Sequence, residues 1–188
     1  NNDKGLITSG EDGVLAWKIN DFHDQDSLPR TFGKHKISVE GKRFLELHGI
    51  GRGSNDDKQK QIDIIDLTLK SDKRRFYKSL KNDFLTCGEF FHTVEGKVVI
   101  GTEKGNVLVY DYLGKKTIFE ELHHNEPIIN LVLSKNEDKI YVCYPNKLLL
   151  IDAHTGQLSE QILGTKRKIR SFHMSPQKDK FIICLWSG

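Results

Sequence analysis

Residues Lys97–Tyr112 read "KVVIGTEKGNVLVYDY". An apolar run, a charged turn holding Gly105 and a second apolar run form the pattern of a β-hairpin. The same plan recurs on both sides. "GLITSGEDGVLAWKI" (Gly5–Ile19) joins two runs through a tight Asp-Gly turn. "KRFLELHGIGRGSNDDKQKQIDIIDL" (Lys42–Leu67) has a longer polar turn, and "DKIYVCYPNKLLLIDAHTGQ" (Asp138–Gln157) turns at Pro145-Asn146. "DKFIICLWSG" begins a fifth copy. The second runs close on Trp17, Ile65, Tyr110 and Ile151, spaced 48, 45 and 41 residues apart. Asp66, Asp111 and Asp152 follow three of them, and Lys18 follows Trp17. A period of about 40–48 residues with four short strands predicts propeller blades.

The segments between hairpins supply the other strands. "PIINLVLSKNE" (Pro127–Glu137) and "KIRSFHMSPQK" (Lys168–Lys178) are more polar, alternating runs that end in Ser, a polar turn and Asp-Lys. "KKTIFEEL" (Lys115–Leu122), "QLSEQILG" (Gln157–Gly164) and "KRRFYKSL" (Lys73–Leu80) read as outer strands, polar because solvent meets one face and one edge. "FYKSLKNDFL" has some helical spacing but falls where a strand and loop are expected. The runs "VVIG", "VLVY", "KLLLI" and "FIICL" are apolar on both sides, as strands between stacked blades must be. Gly10 and Gly101 mark places where chains approach closely.

On "LITSGEDGVLAWKI", "VVIGTEKGNVLVYD" and "HHNEPIINLVLSKNEDKIYVCYPNKLLLIDAHTGQ" the chain resembles the WD-repeat β-propeller family. That family's usual repeat has Gly-His before the innermost strand, Asp in the turn between the second and third strands, and Trp-Asp closing the third. Here His123 or His124 stands near the first position without the Gly, and Asp12 lies in one turn. Tyr110-Asp111, Ile65-Asp66 and Ile151-Asp152 replace Trp-Asp. The resemblance implies an all-β fold whose blades have four antiparallel strands. The whole chain is expected to be one partial propeller, with blade segments 1–33, 34–81, 82–122, 123–164 and a truncated 165–188. A closed ring needs about six to eight blades. Further blades outside this stretch are the favoured explanation, over a partner completing the ring or open edges. Both ends read as cut from a longer chain.

Composition narrows the function classes. The 188 residues carry 37% hydrophobic and 29% charged residues and a net charge of +3. That charge is too small to imply nucleic acid by itself. No apolar run approaches the ~18–20 residues of a membrane span. Cys87, Cys143 and Cys184 form no CxxC pair, so a reducing, intracellular setting with thiols in the core is expected.

Most chemistry-bearing clusters read as structural. His23, Asp24 and Asp26 in "DFHDQD" form a polar loop without further metal ligands. "HHNE" (His123–Glu126) places a His to bond a turn carboxylate of its own blade. Gly156 in "AHTGQ" takes a positive φ. "GIGRGS" lacks the Lys and the helix of a phosphate loop. Catalytic, cofactor and metal residues are therefore expected to be none. Two basic stretches stand out: Lys70–Lys81 and Thr165–Lys180 each hold six Lys/Arg against one Asp. Arg74, Arg75, Lys166, Arg167, Lys168 and Arg170 are the candidate partner or RNA contacts, with Phe76 or Tyr77 available to stack. The alternative is a solvated blade edge balanced by acids such as those of "FEEL".

The resemblance implies a non-enzymatic scaffold, a WD-repeat subunit of a larger intracellular assembly. The second reading is a subunit of an RNA-protein complex of the ribosome-assembly type, in nucleus or cytoplasm. An enzyme propeller such as a quinoprotein-like dehydrogenase would carry periodic Trp docking motifs. This chain has only Trp17 and Trp186.

Overall fold

A computed structural model describes residues 83–186 in full and, of residues 1–82, the backbone of the strands. The metal-like cluster at His23 and Asp24, the "GIGRGS" stretch and Arg74 lie outside the described residues. Every described element is a β-strand, and no helix among the described residues is long and apolar enough to cross a membrane.

The chain divides into two compact units, Asn1–Gly33 and Lys34–Gly188. In the first, β1 (Gly5–Gly10), β2 (Gly13–Lys18) and β3 (Asp26–Ser27) form one antiparallel sheet. Gly10 pairs with Gly13, so Gly13 belongs to β2 instead of the turn expected at Asp-Gly.

The second unit is a series of sheets, each folded up and down in chain order. The first contains β4 (Gly33–Ile37), β5 (Arg43–His48), β6 (Gln61–Asp66) and β7 (Arg75–Ser79). The next contains β8 (Leu85–Phe90), β9 (Lys97–Thr102), β10 (Asn106–Asp111) and β11 (Lys116–Leu122). The third contains β12 (Asn130–Leu133), β13 (Lys139–Cys143), β14 (Lys147–Asp152) and β15 (Leu158–Gly164). The last pairs β16 (Ile169–Met174) with β17 (Phe181–Leu185). The second unit thus holds three four-stranded antiparallel sheets and a final two-stranded pair, the blades of an incomplete propeller. Each long hairpin read from the sequence is present, and Phe76–Ser79 lie in strand β7, as expected.

Side chains alternate across the fully described blades, because successive Cβ atoms leave a strand on opposite faces. Val99, Val107 and Val109 meet Leu131, Leu133, Ile140, Val142, Leu149 and Ile151 of the following sheet in one buried cluster. Their neighbours Val98, Ile100, Leu108 and Tyr110 face the other way, with Leu85, Phe90 and Tyr112. Cys143 and Leu148 join Ile169 and Phe172 of the last sheet. At about 25 cal/mol per Å² of buried apolar surface, these shared faces are the main stabilising term. Gly101 faces Cys87 and Ile128, and a Cβ there would come within 2.8 Å of both.

Two expectations change. The inner strand β12 is not alternating and polar; Leu131, Val132 and Leu133 are all buried, because apolar neighbours lie on both faces of it. Cys184 is exposed, unlike buried Cys87 and Cys143. It sits one position past Ile183, which faces the preceding sheet, so its own face is turned away from that core. The outer strands β11 and β15 are largely exposed, as read.

Candidate functional site

The turns of the second unit gather at two opposite ends of the strands. One end carries the turns after β8, β12 and β16. The repeated sequences Ser134-Lys-Asn-Glu-Asp-Lys139 and Ser175-Pro-Gln-Lys-Asp-Lys180 fold alike. Ser134 Oγ donates to Asp138 at 2.8 Å, and Ser175 Oγ donates to Asp179 at 2.6 Å. The fourth residue of each turn is left-handed, Glu137 at φ 59° and Lys178 at φ 56°. That conformation aims its side chain back at earlier sheets.

Glu137 reaches the turn after β8. It accepts from His92 N at 2.7 Å, from Thr93 N at 2.8 Å and from Thr93 Oγ1 at 2.5 Å. Burial would raise its pKa. The Thr93 hydroxyl, the Thr93 and His92 amides and nearby His92 outweigh burial and hold it below the usual carboxylate range. Lys178 reaches further, to Glu89 of β8 at 3.3 Å, and Glu89 also accepts from Leu133 N at 3.2 Å. The two side chains are only 5% and 19% exposed. Asp152, at the end of β14, accepts from the His154 and Thr155 amides and from Lys139 Nζ at 3.1 Å. These donors, the amides first, hold its pKa far below the ordinary value. The acid that closes the third strand is therefore a turn cap. Asp111 does the same for Gly114 N at 2.7 Å, and it pairs in register with Lys97 as Asp152 does with Lys139 and Asp66 with Arg43.

The opposite end is built by the turns after β9 and β13 and the loops after β11 and β15. Asp83 accepts from Phe84 N, Lys104 N and Asn106 Nδ2, fixing the turn after β9. His124 lies edge-on to Tyr144, whose hydroxyl donates to Gly105 O at 3.0 Å. Lys147 Nζ stands 3.4 Å from His124 Nδ1 and Glu126 Oε2 stands 3.0 Å from Nε2. An ammonium only donates, so Nδ1 accepts and Nε2–H donates to Glu126. This is the expected intra-loop His–carboxylate bond, with Lys147 as an additional partner.

Beside it runs the loop from β15 to β16. Thr165 N donates to Asn146 O at 2.8 Å, Ile169 N to Pro145 O at 2.6 Å and Trp186 N to Lys168 O at 2.9 Å. Lys166, Arg167, Lys168 and Arg170 are all exposed. Among the described residues, none of these four has a carboxylate within ion-pair distance. Arg170 lies over the Trp186 ring, 5.2 Å from its centroid, a favourable cation–π placement.

Of the six basic candidates, the structure brings together Lys166, Arg167, Lys168 and Arg170. Arg75 begins β7, in another sheet. The aromatic beside the cations is Trp186; Phe76 and Tyr77 lie on β7. Sequence reasoning missed Trp186, Asp83 and the Glu137 and Lys178 arms. The only signal for the arms is the repeated Ser-x-x-x-Asp-Lys spacing.

No curated protein matches the sequence. Among protein-family models, residues 63–182 match the VID27 C-terminal WD40-like domain. The match begins in β6, runs through both fully described four-stranded sheets and ends within β17. WD40-like domains are in general non-catalytic interaction scaffolds. The stacked antiparallel blades, the third-strand acids Asp111 and Asp152 that cap their turns and the span of this match agree: the chain belongs to the VID27 C-terminal WD40-like domain family.

Proposed function

We propose that the chain is a non-enzymatic subunit of a larger protein assembly, its segments forming successive blades of one partial propeller. The observation that supports this most is the run of exposed cations on a loop whose backbone is fixed. Glu89, Glu137, Lys139, Asp152 and Lys178 are consumed by contacts that hold turns and sheets together. Lys166, Arg167 and Lys168 are held out on the loop. A fixed loop that holds charged side chains out to solvent suits a scaffold. Size-exclusion chromatography of the protein isolated from its native source tests this. A protein partner should co-elute at fixed stoichiometry. Elution of the chain by itself at native concentrations would remove the reading.

A second reading, an RNA-protein complex of the ribosome-assembly type located in nucleus or cytoplasm, is favoured by the run Lys166-Arg167-Lys168. Under it, RNA binding weakens steeply with salt, and Arg167→Glu with Lys168→Glu abolishes it. A flat salt response would exclude it.

A further inference from the structure

We infer that the β15–β16 loop, with the Arg170–Trp186 stack beside it, is the docking surface for an acidic peptide segment of a protein partner. The inference rests on the scaffold reading and names the chemistry of the partner. Three consecutive cations, Lys166, Arg167 and Lys168, occupy the loop, and all are exposed. Their backbone is pinned from several directions. Thr165 N and Ile169 N donate to the turn at Asn146 and Pro145, Lys168 O accepts from Trp186 N, and Arg167 N donates to Thr165 Oγ1 at 3.2 Å. A pinned loop presents its charges without a large ordering cost on binding. Arg170 is propped on the Trp186 ring, which holds the planar guanidinium in place while its edge stays open to a carboxylate.

Among the described residues, no carboxylate lies within ion-pair distance of Lys166, Arg167, Lys168 or Arg170. Asp83 is occupied by three donors and Glu126 by His124. The extent of the cationic surface separates a peptide from a nucleic acid. The outer strands that lead into this end carry exposed Glu120, Glu121 and Glu160. They would repel a polyanion that ran beyond the loop, whereas a short acidic segment ends before reaching them. One face of the Trp186 ring is already covered by Arg170, which leaves a poorer platform for base stacking than an open aromatic.

The test is fluorescence anisotropy of a labelled peptide of alternating Asp and Glu, titrated with the 188-residue chain. A single-stranded RNA of equal charge serves as the second probe. The peptide should bind, and the triple variant Lys166→Gln, Arg167→Gln, Lys168→Gln should weaken it about tenfold, the sum of three exposed charge pairs. Arg170→Gln should weaken it about threefold. Circular dichroism of these variants should match the parent, because the substituted side chains are exposed. Absence of peptide binding by the parent, a triple variant that binds as the parent does, or tighter binding of the RNA would each overturn the inference. Co-elution of a native protein partner with the triple variant as with the parent would leave the scaffold standing and remove this loop as its docking surface.

Discussion

Gly105 shows how little room a single position has. Its backbone stands at φ +92°, and a Cβ there would come within 1.8 Å of the His124 carbonyl oxygen. The Tyr144 hydroxyl binds the Gly105 carbonyl from the next sheet. Gly105→Ala therefore combines a disfavoured backbone conformation with a backbone clash. We expect a loss of at least about 2 kcal/mol, read from urea unfolding. An unchanged midpoint would mean the turn relaxes freely. The cysteines differ in a measurable way too. Burial, reinforced by nearby Cys87, pushes the Cys143 thiol up to about 12. Cys184 is exposed. A thiol reagent applied to the native protein near neutral pH should label Cys184 rapidly and leave Cys87 and Cys143 unreacted. Cys184→Ser should erase the rapid phase. Its exposure was not legible in the sequence: "FIICL" has the same apolar texture as "VVIG", and what covers each face is a property of neighbouring sheets.

The strand pairs are the elements most legible in the sequence. Alternation and turn residues are local, and the local rule sufficed to place β5 with β6, β9 with β10 and β13 with β14. What lay beyond it was the use of the turns. Glu137 and Lys178 look like ordinary solvated turn residues, yet their partners lie 44–89 positions away. No spacing rule within one blade reports them. The shared face between β10 and β13 makes its own prediction. Ile140 is fully buried among Val142, Ile151 and the valines of the preceding sheet. Ile140→Ala should cost about 2–5 kcal/mol, and Ile140→Val about 1 kcal/mol, by denaturant titration. A similar cost for both would mean the cavity collapses. The basic loop was legible as composition and not as a place: Lys166, Arg167 and Lys168 declared their charge, but the pairing that leaves them unbalanced is visible only in three dimensions.

At the scale of the whole molecule, acid should loosen the blades. Glu137 and Asp152 both have folded-state pKa values below their ordinary ones. Their contribution is therefore fully present above about pH 4 and is lost as the pH falls through the folded-state values. Glu137 supplies the larger share, because Asp152 is partly solvated and its interactions are screened. Urea midpoints should fall below about pH 4, and Glu137→Gln should flatten that fall. An equally steep fall in the variant would assign the acid sensitivity elsewhere. The Glu89–Lys178 pair acts over a longer span still. Removing the cation by Lys178→Met strands a buried carboxylate and should cost about 3 kcal/mol, more than Glu89→Gln, which leaves a lysine able to reach water. Repeat arrays commonly unzip from their ends, since each unit touches only the next. Here one carboxylate of β8 binds an amide of β12 and an ammonium beyond β16. Three successive sheets are clamped through a single side chain, so fraying at the last hairpin is coupled to the inner ones. Amide protons of β9, β13 and β16 should then exchange through one shared opening event, with a common free energy, instead of a graded series.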